Sequence, residues 1–407
     1  MAIKYLRTSK IQNKTVLLRV DVNVPIDDGK VSDAFRIEQV LPTIKQLQSG
    51  GNTVIVCGHL GRPKGKKDPK LTLKPVAEVM ARLLGFKYLE TDKALPEDGV
   101  SHLVFFKGNI LEEKNQEILG MAPAKDIVLL ENLRFYSGEE ENDPMLAKKL
   151  AGFADVYVND AFGVDHRAAA STVGVAKYLP GYCGLLLEKE IKALDEVLKR
   201  SQHPFVVMTG GIKLSEKVGA LEHLGKKSDK ILVGGGVASL MFKAKGYEVG
   251  LSKIEEGEIK TAWEITKNFK DKLILPADVV VASQKMEKNS IRVCLPHEVR
   301  TNEMILDAGP KTILAYAVEI KKAKTILWSG PLGLFEKKPF DMATMALARL
   351  IGGRGKGLAF AVAGGGDTVD AIRQAHQFEN FDHVSTGGGA MLEYLAGKKL
   401  PGIEALK

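Results

Sequence analysis

Cysteine is scarce in this chain of 407 residues. Cys57, Cys183 and Cys294 are the only three, they lie far apart, and no C-x-x-C pair occurs. That spacing argues against a disulfide framework and against a zinc site, and it fits a reducing, cytoplasmic setting. Long apolar runs are missing as well. No stretch of about 18 apolar residues appears, so no helical membrane span is expected. Residues Met1 to Thr8 place a charge every few positions and contain no apolar h-region, so no secretory leader is expected. Aromatics make up only 6% and do not interleave with basic runs such as Arg62-Pro63-Lys64-Gly65-Lys66-Lys67. The net charge of +8 admits a nucleic-acid binder or an enzyme for small phosphorylated anions. Solvated surface lysines account equally well for any single run, and the want of stacking platforms disfavours nucleic acid. Two common phosphate motifs are also absent. No Gly-Lys pair is followed by Ser or Thr, and no G-x-G-x-x-G opens a helix, so P-loop NTPases, protein kinases and standard dinucleotide folds fit poorly.

What is present is alternation. Short β-branched runs recur at Val16–Val24, Thr53–Cys57, Ile127–Leu130, Val156–Val158, Phe205–Met208, Lys230–Val233, Thr325–Trp328 and Leu358–Ala363. Amphipathic stretches lie between them, such as Val76, Val79, Met80, Leu83 and Leu84, or less cleanly Ile259, Trp263, Ile265, Thr266 and Phe269. Strand and helix in alternation predict α/β architecture with parallel sheets covered on both faces. The strands are too many for one compact sheet, and Pro180 and Gly181 mark a break near residues 178–184. The helix predicted over Leu185–Leu198 has its apolar stripe at 187, 191, 194, 197 and 198. It reads either as a lever between two halves or as an ordinary crossover.

Ligands of open parallel sheets bind beyond the carboxyl ends of the strands. In the first half those ends carry charge: Asp21 and Asn23 at period two on one strand, then Arg36, His59 with Arg62, Arg134, and His166 with Arg167. Guanidiniums converging on one cleft repel unless an anion lies between them, and phosphate or carboxylate takes Arg through paired hydrogen bonds. Helix capping or surface ion pairing explains one such Arg; four at successive strand ends favour a small polyanion. The second half offers glycine clusters at 210–211, 234–236, 330–333, 364–366 and 387–389, each before a helical stretch. Tight turns explain one cluster, whereas several favour backbone N–H groups cradling phosphate. Asp367 in Gly365-Gly366-Asp367-Thr368 is a candidate Mg²⁺ partner. Lys213 and Lys217 are expected on one helix face, i and i+4, under a phosphate.

Together these segments, in order from Arg19-Val20-Asp21-Val22-Asn23-Val24-Pro25 to Leu400-Pro401-Gly402-Ile403, resemble the phosphoglycerate kinase family over nearly the full length. The resemblance implies two doubly wound parallel-sheet domains joined by a hinge helix. Residues 1–182, with a returning segment 391–407, would hold 3-phosphoglycerate or 1,3-bisphosphoglycerate, and residues 183–390 would hold Mg²⁺ with ADP or ATP. It also implies a monomer, and the cysteine spacing, the missing apolar runs and the scarce aromatics add the expectation of a cytoplasmic enzyme that neither enters a membrane nor binds nucleic acid. By the same resemblance, Asp21 and Asn23 look like contacts to the glycerate, and Arg36 lies between substrate carboxyl and transferring phosphoryl group. His59, Arg62, Arg134 and Arg167 look like the holders of the 3-phosphate. Lys217 is similar to the lysine on the nucleotide phosphates, Lys213 to the one meeting the transferring group after closure, and Glu336 to the ribose contact. Gly365, Gly366, Asp367 and Thr368 look like the phosphate and metal loop, and Gly387, Gly388 and Gly389 like the N–H donors at the reacting centre.

Three positions depart from the family pattern. Trp328-Ser329-Gly330-Pro331 stands for Trp-Asn-Gly-Pro, His166-Arg167-Ala168-Ala169 for His-Arg-Ala-His, and Gly210-Gly211-Ile212-Lys213 for Gly-Gly-Ala-Lys. None removes a residue the transfer requires. Another small-molecule kinase, a two-domain dehydrogenase and a nonenzymatic two-lobed anion binder are the competing readings.

Overall fold

In the computed structural model, which describes residues 3–95 and 100–407, Thr15–Val20 forms strand β1, buried at every residue after Thr15. A strand apolar on both faces belongs inside a parallel sheet with helices on either side. A small antiparallel hairpin follows, β2 (Ile26–Asp27) with β3 (Lys30–Val31). Next come β4 (Thr53–Cys57), β5 (Lys87–Thr91), β6 (His102–Phe106), β7 (Ile127–Leu130), β8 (Val156–Asp160) and β9 (Gly181–Cys183). Hairpin aside, these strands pair in parallel in the order β5-β6-β7-β4-β1-β8-β9. Helices α1 (Phe35–Ser49), α2 (Lys74–Leu84), α3 (Glu113–Gly120) and α4 (Pro144–Ala151) lie along the chain between strands. The buried residues Val76, Ala77, Met80 and Ala81 of α2 join the core under the sheet with Val16, Leu18 and Val54. This unit runs to Ile191 and takes in Lys399–Lys407, which includes α13 (Pro401–Glu404).

Helix α5 (Leu185–Lys199) contains the division between the two units, which falls after Ile191, and the second unit spans Lys192–Lys398. The sequence put these divisions at 182/183 and 390/391. The strands of the second unit are β10 (Phe205–Thr209), β11 (Lys230–Val233), β12 (Leu273–Ile274), β13 (Val279–Ser283), β14 (Arg292–Cys294), β15 (Glu303–Ala308), β16 (Thr325–Ser329), β17 (Phe360–Gly364) and β18 (His383–Ser385). Six of them make a parallel sheet, β12-β11-β10-β16-β17-β18. Its helices are α6 (Val218–Gly225), α7 (Gly235–Ala244), α8 (Ile259–Asn268), α9 (Pro310–Lys322), α10 (Met342–Gly352), α11 (Gly366–Gln374) and α12 (Gly389–Leu395). The remaining three strands form an antiparallel sheet, β14-β13-β15, that the sequence reading did not separate from the main one.

Two expected elements differ. The run Val16–Val24 leaves the strand at Val20, because Asp21 Oδ1 accepts the Asn23 N–H at 3.2 Å and Val24 N–H bonds back to Val22 O at 2.8 Å. Asp21 and Asn23 therefore share an Asx turn and not a strand face. Lys213 and Lys217 likewise precede α6 and do not share a helix face. Their turn is held from outside, by Ser215 N–H and Oγ donating to Glu255 at 2.9 and 2.7 Å.

Candidate active site

In the first sheet, the turns leaving the four neighbouring strands β7, β4, β1 and β8 carry Arg134, then His59 and Arg62, then Asp21 and Asn23, then Arg167. Arg36 comes to them from the first turn of α1, where the helix dipole disfavours a cation. Asp21 offsets that cost: its Oδ2 accepts from Arg36 Nη1 at 2.8 Å, and Asn23 O accepts from the same nitrogen at 3.3 Å. Asn23 Oδ1 accepts the Gly61 N–H at 2.9 Å, and Arg134 Nη1 donates to Gly61 O at 2.7 Å, so one glycine ties three strand ends together. Arg134 also pairs with Glu140 at 3.2 Å. Arg62 and Arg167 are exposed. Among the described residues Arg62 has no hydrogen bond or ion pair, and Arg167 Nε meets only His166 Nε2, at 3.1 Å.

His59 reports on this gathering of charge. It is buried, which by itself pushes its pKa well below the ordinary histidine value, and Arg19, Arg134, Arg36 and Arg167 push it further down. The imidazole is therefore neutral at pH 7, with four guanidiniums acting on it. Arg19, Glu139 and Ser171 were missed from sequence, although Arg19 is the one charged residue inside the apolar strand β1.

In the second unit, glycine clusters follow five adjacent strands, β11, β10, β16, β17 and β18, and line a cavity of about 550 Å³. Three clusters lie directly at helix N-termini, since α7 starts at Gly235, α11 at Gly366 and α12 at Gly389. The cap of α12, Gly388, has φ +50° and ψ −113°, a conformation closed to residues with a side chain. The other two clusters, expected to precede helices, instead let two strand ends touch: a Cβ on Gly210 would stand 2.0 Å from Pro331 O. Lys213, Lys217, Glu336 and Asp367 all line the cavity. Lys213 pairs with Glu216 at 2.8 Å, whereas Lys217 Nζ turns back to Lys213 O at 3.4 Å. Burial lowers the Lys217 pKa, and Glu216, Asp367 and Glu255 partly oppose it. Thr368 is buried, and its Oγ1 accepts the Gly330 N–H at 2.7 Å, clamping α11 to the turn after β16. Asp307 also lines the cavity and was missed; it accepts the Ala343 N–H at 3.1 Å, and burial lifts its pKa to about 7. Ile212 and Ser329, two of the departures, are cavity-lining residues too.

One unit presenting guanidiniums and another presenting glycine-rich helix N-termini define a two-unit α/β protein for phosphorylated ligands. Comparison with known proteins narrows this. Residues 6–398 match the profile of the family described as phosphoglycerate kinase. The chain is 42% identical to the phosphoglycerate kinase of Dictyoglomus turgidum over 405 residues, covering 99% of this chain and 98% of that one. It is also 42% identical to that of Methylorubrum extorquens PA1, covering 98% and 96%. Among solved structures it is similar to the phosphoglycerate kinase of Coxiella burnetii (36% identity, 100% and 99% covered, TM-score 0.81) and to that of Pyrococcus horikoshii (31% identity, 99% and 98% covered, TM-score 0.84). The chain belongs to the phosphoglycerate kinase family, whose enzymes move a phosphoryl group between 1,3-bisphosphoglycerate and ADP.

Proposed function

We propose that the two ligands of this reaction divide between the two units. The first takes 3-phosphoglycerate or 1,3-bisphosphoglycerate on Arg36, Arg62, Arg134, Arg167, His59, Asp21 and Asn23. The second takes ADP or ATP on Lys217, Glu336 and Gly365–Thr368, with Lys213 and Gly388–Gly389 facing the transferring group. The observation that carries this reading is the strand order β7-β4-β1-β8, which puts Arg134, His59 with Arg62, and Arg167 after adjacent strands at one edge of the sheet, an arrangement that calls for a polyanion. Among the described residues no cluster of three His, Cys, Asp or Glu side chains exists to hold a metal by itself. The Asp367 carboxylate in the first turn of α11 suits Mg²⁺ arriving with the nucleotide, since that ion takes one or two carboxylates with phosphates and waters. Bound there, Mg²⁺ supplies charge neutralisation at the phosphate oxygens.

The protein's own share is positioning and charge. The acyl phosphate's leaving carboxylate and the ADP nucleophile are both weak bases, so no general base is assigned. Arg36 and Lys213 stabilise the charge on the transferring group, and the N–H groups at the start of α12 add fixed donors. The attacking oxygen and the phosphorus must come within about 3.5 Å, so ligands bound on separate units require hinge closure about α5 and the returning C-terminal segment. Closure also excludes the water that would hydrolyse the acyl phosphate. Among the described residues no helix is long and apolar enough to cross a membrane; we place the enzyme in the cytoplasm as a monomer. The test is a coupled assay with 3-phosphoglycerate and Mg·ATP. Turnover that requires both substrates supports the reading, and nucleotide binding without turnover overturns it.

A further inference from the structure

Beneath the guanidinium cluster lies a buried pair that the transfer reaction does not use. Arg19 and Glu139 are each 2% exposed, and Ser171 between them is fully buried. Ser171 donates to Glu139 twice, through N–H at 3.1 Å and through Oγ at 2.5 Å. Arg19 Nε donates to the same Ser171 Oγ at 2.7 Å, and its Nη2 lies 3.8 Å from Glu139 Oε1. That Nη2 is also 3.3 Å from His59 Nδ1, while Nη1 donates to Val20 O. Burying an ion pair seldom stabilises a fold more than apolar residues of the same volume would. Here Arg19 adds another cation to an edge already crowded with them, and Glu139 is the carboxylate that compensates it.

Guanidinium nitrogens only donate, so the Nδ1 that faces Arg19 acts as acceptor and bears no proton. A neutral His59 then carries its proton on Nε2, which has no hydrogen-bond partner among the described residues. The same carboxylate anchors the wide helical turn Ala170–Gly174 that follows Arg167. We infer that Glu139 is a positioning residue of the acidic-substrate site: through Ser171 and Arg19 it fixes the tautomer of His59 and the backbone that carries Arg167. The inference rests on the proposal that the acidic substrate binds the first unit.

Steady-state kinetics of the full-length enzyme tests it, using Glu139→Gln and Ser171→Ala, with Arg62→Ala as the control for substrate placement. Losing a charge-assisted hydrogen bond corresponds to about tenfold or more in affinity. Glu139→Gln is therefore expected to raise KM for 3-phosphoglycerate about tenfold, leaving KM for Mg·ATP within about twofold. Nitrogen-15 histidine spectra are expected to show a single neutral Nε2–H form of His59 in the parent enzyme and a mixture in the variant. Should Glu139→Gln fail to fold, Ser171→Ala, which leaves both charges in place, is judged by the same KM split. Equal rises in both KM values, or an unchanged 3-phosphoglycerate KM while Arg62→Ala raises it, would overturn the positioning role. An unchanged KM in Arg62→Ala as well would overturn the substrate placement and this inference with it.

Discussion

Arg36 is a cation in the first turn of a helix, held by a carboxylate at 2.8 Å in a position where helix stability gains nothing from it. In the role proposed for it, the guanidinium would be aimed before substrate arrives, and a preorganised donor acts mainly on charge that develops during reaction. Arg36→Ala is expected to lower kcat by about 100-fold or more while changing ground-state affinity much less. Initial-rate kinetics checks this; a normal kcat with only a raised KM would make Arg36 a ground-state binder. Lys217 is half-buried, with its pKa lowered mainly by burial, and a nucleotide phosphate would restore the partner that water otherwise provides. Lys217→Ala is expected to weaken Mg·ADP binding about tenfold to 100-fold with 3-phosphoglycerate affinity nearly unchanged. Calorimetry with each ligand separately decides, and equal losses for both would contradict the two-unit division.

Two elements carry consequences of their own. At the start of α12 no atom crowds the Cα of Gly388, so an alanine there meets only the backbone conformation. Gly388→Ala is expected to cost about 1–3 kcal/mol in stability and to lower kcat, as the N–H donors of α12 shift. A denaturation midpoint equal to the parent's would show that the turn relaxes freely. Asp160, at the end of β8, accepts the Leu187 N–H at 2.9 Å and so caps α5. Burial raises its pKa to about 7, against bonds from Thr43 and from Leu187 and Leu186 N–H. Below about pH 4 the carboxyl is neutral folded and unfolded, and it costs nothing. Between about 4 and 7 the unfolded chain ionises first, so its contribution to stability falls as pH rises, levelling off above about 7. Asp160→Asn keeps an acceptor for Leu187 and is expected to flatten this part of the pH dependence. Urea midpoints of both proteins from pH 4 to 8 check the sign.

At the scale of the whole molecule, the strand-end edge of the first unit gathers Arg36, Arg62, Arg134 and Arg167, whereas the cavity of the second mixes Lys213, Lys217 and Lys253 with Glu216, Glu336 and Asp367. A ligand shifts a conformational equilibrium only by its differential affinity for the two states; under the closure proposed above, each ligand would gain contacts to the other unit only in the closed form, so the pair together would favour that form most. Small-angle scattering of apo, singly liganded and ternary forms is expected to show the smallest radius of gyration in the ternary form. An unchanged radius there would remove support for closure.

The sequence by itself determined the α/β class, the eight strands β1, β4, β7, β8, β10, β11, β16 and β17, and which residues stand at their ends, because these are local: β-branched runs, helical periodicity, and glycine or arginine just after a strand. Thr53–Cys57, Ile127–Leu130 and Lys230–Val233 form strands with the limits their composition predicted. Tertiary structure alone decided what meets what. The chain order β1, β4, β7, β8 becomes the spatial order β7-β4-β1-β8 only through crossovers that pack on the sheet, and that order brings Arg134, His59, Asp21 and Arg167 together. It also decided that Lys213 and Lys217 lie in a turn, since the restraint on that turn comes from Glu255, 40 residues away. Arg19 shows the same limit. An apolar strand pattern marks it as an exception, but its partners, Ser171 at 152 positions' distance and His59 at 40, are supplied by folding and not by spacing.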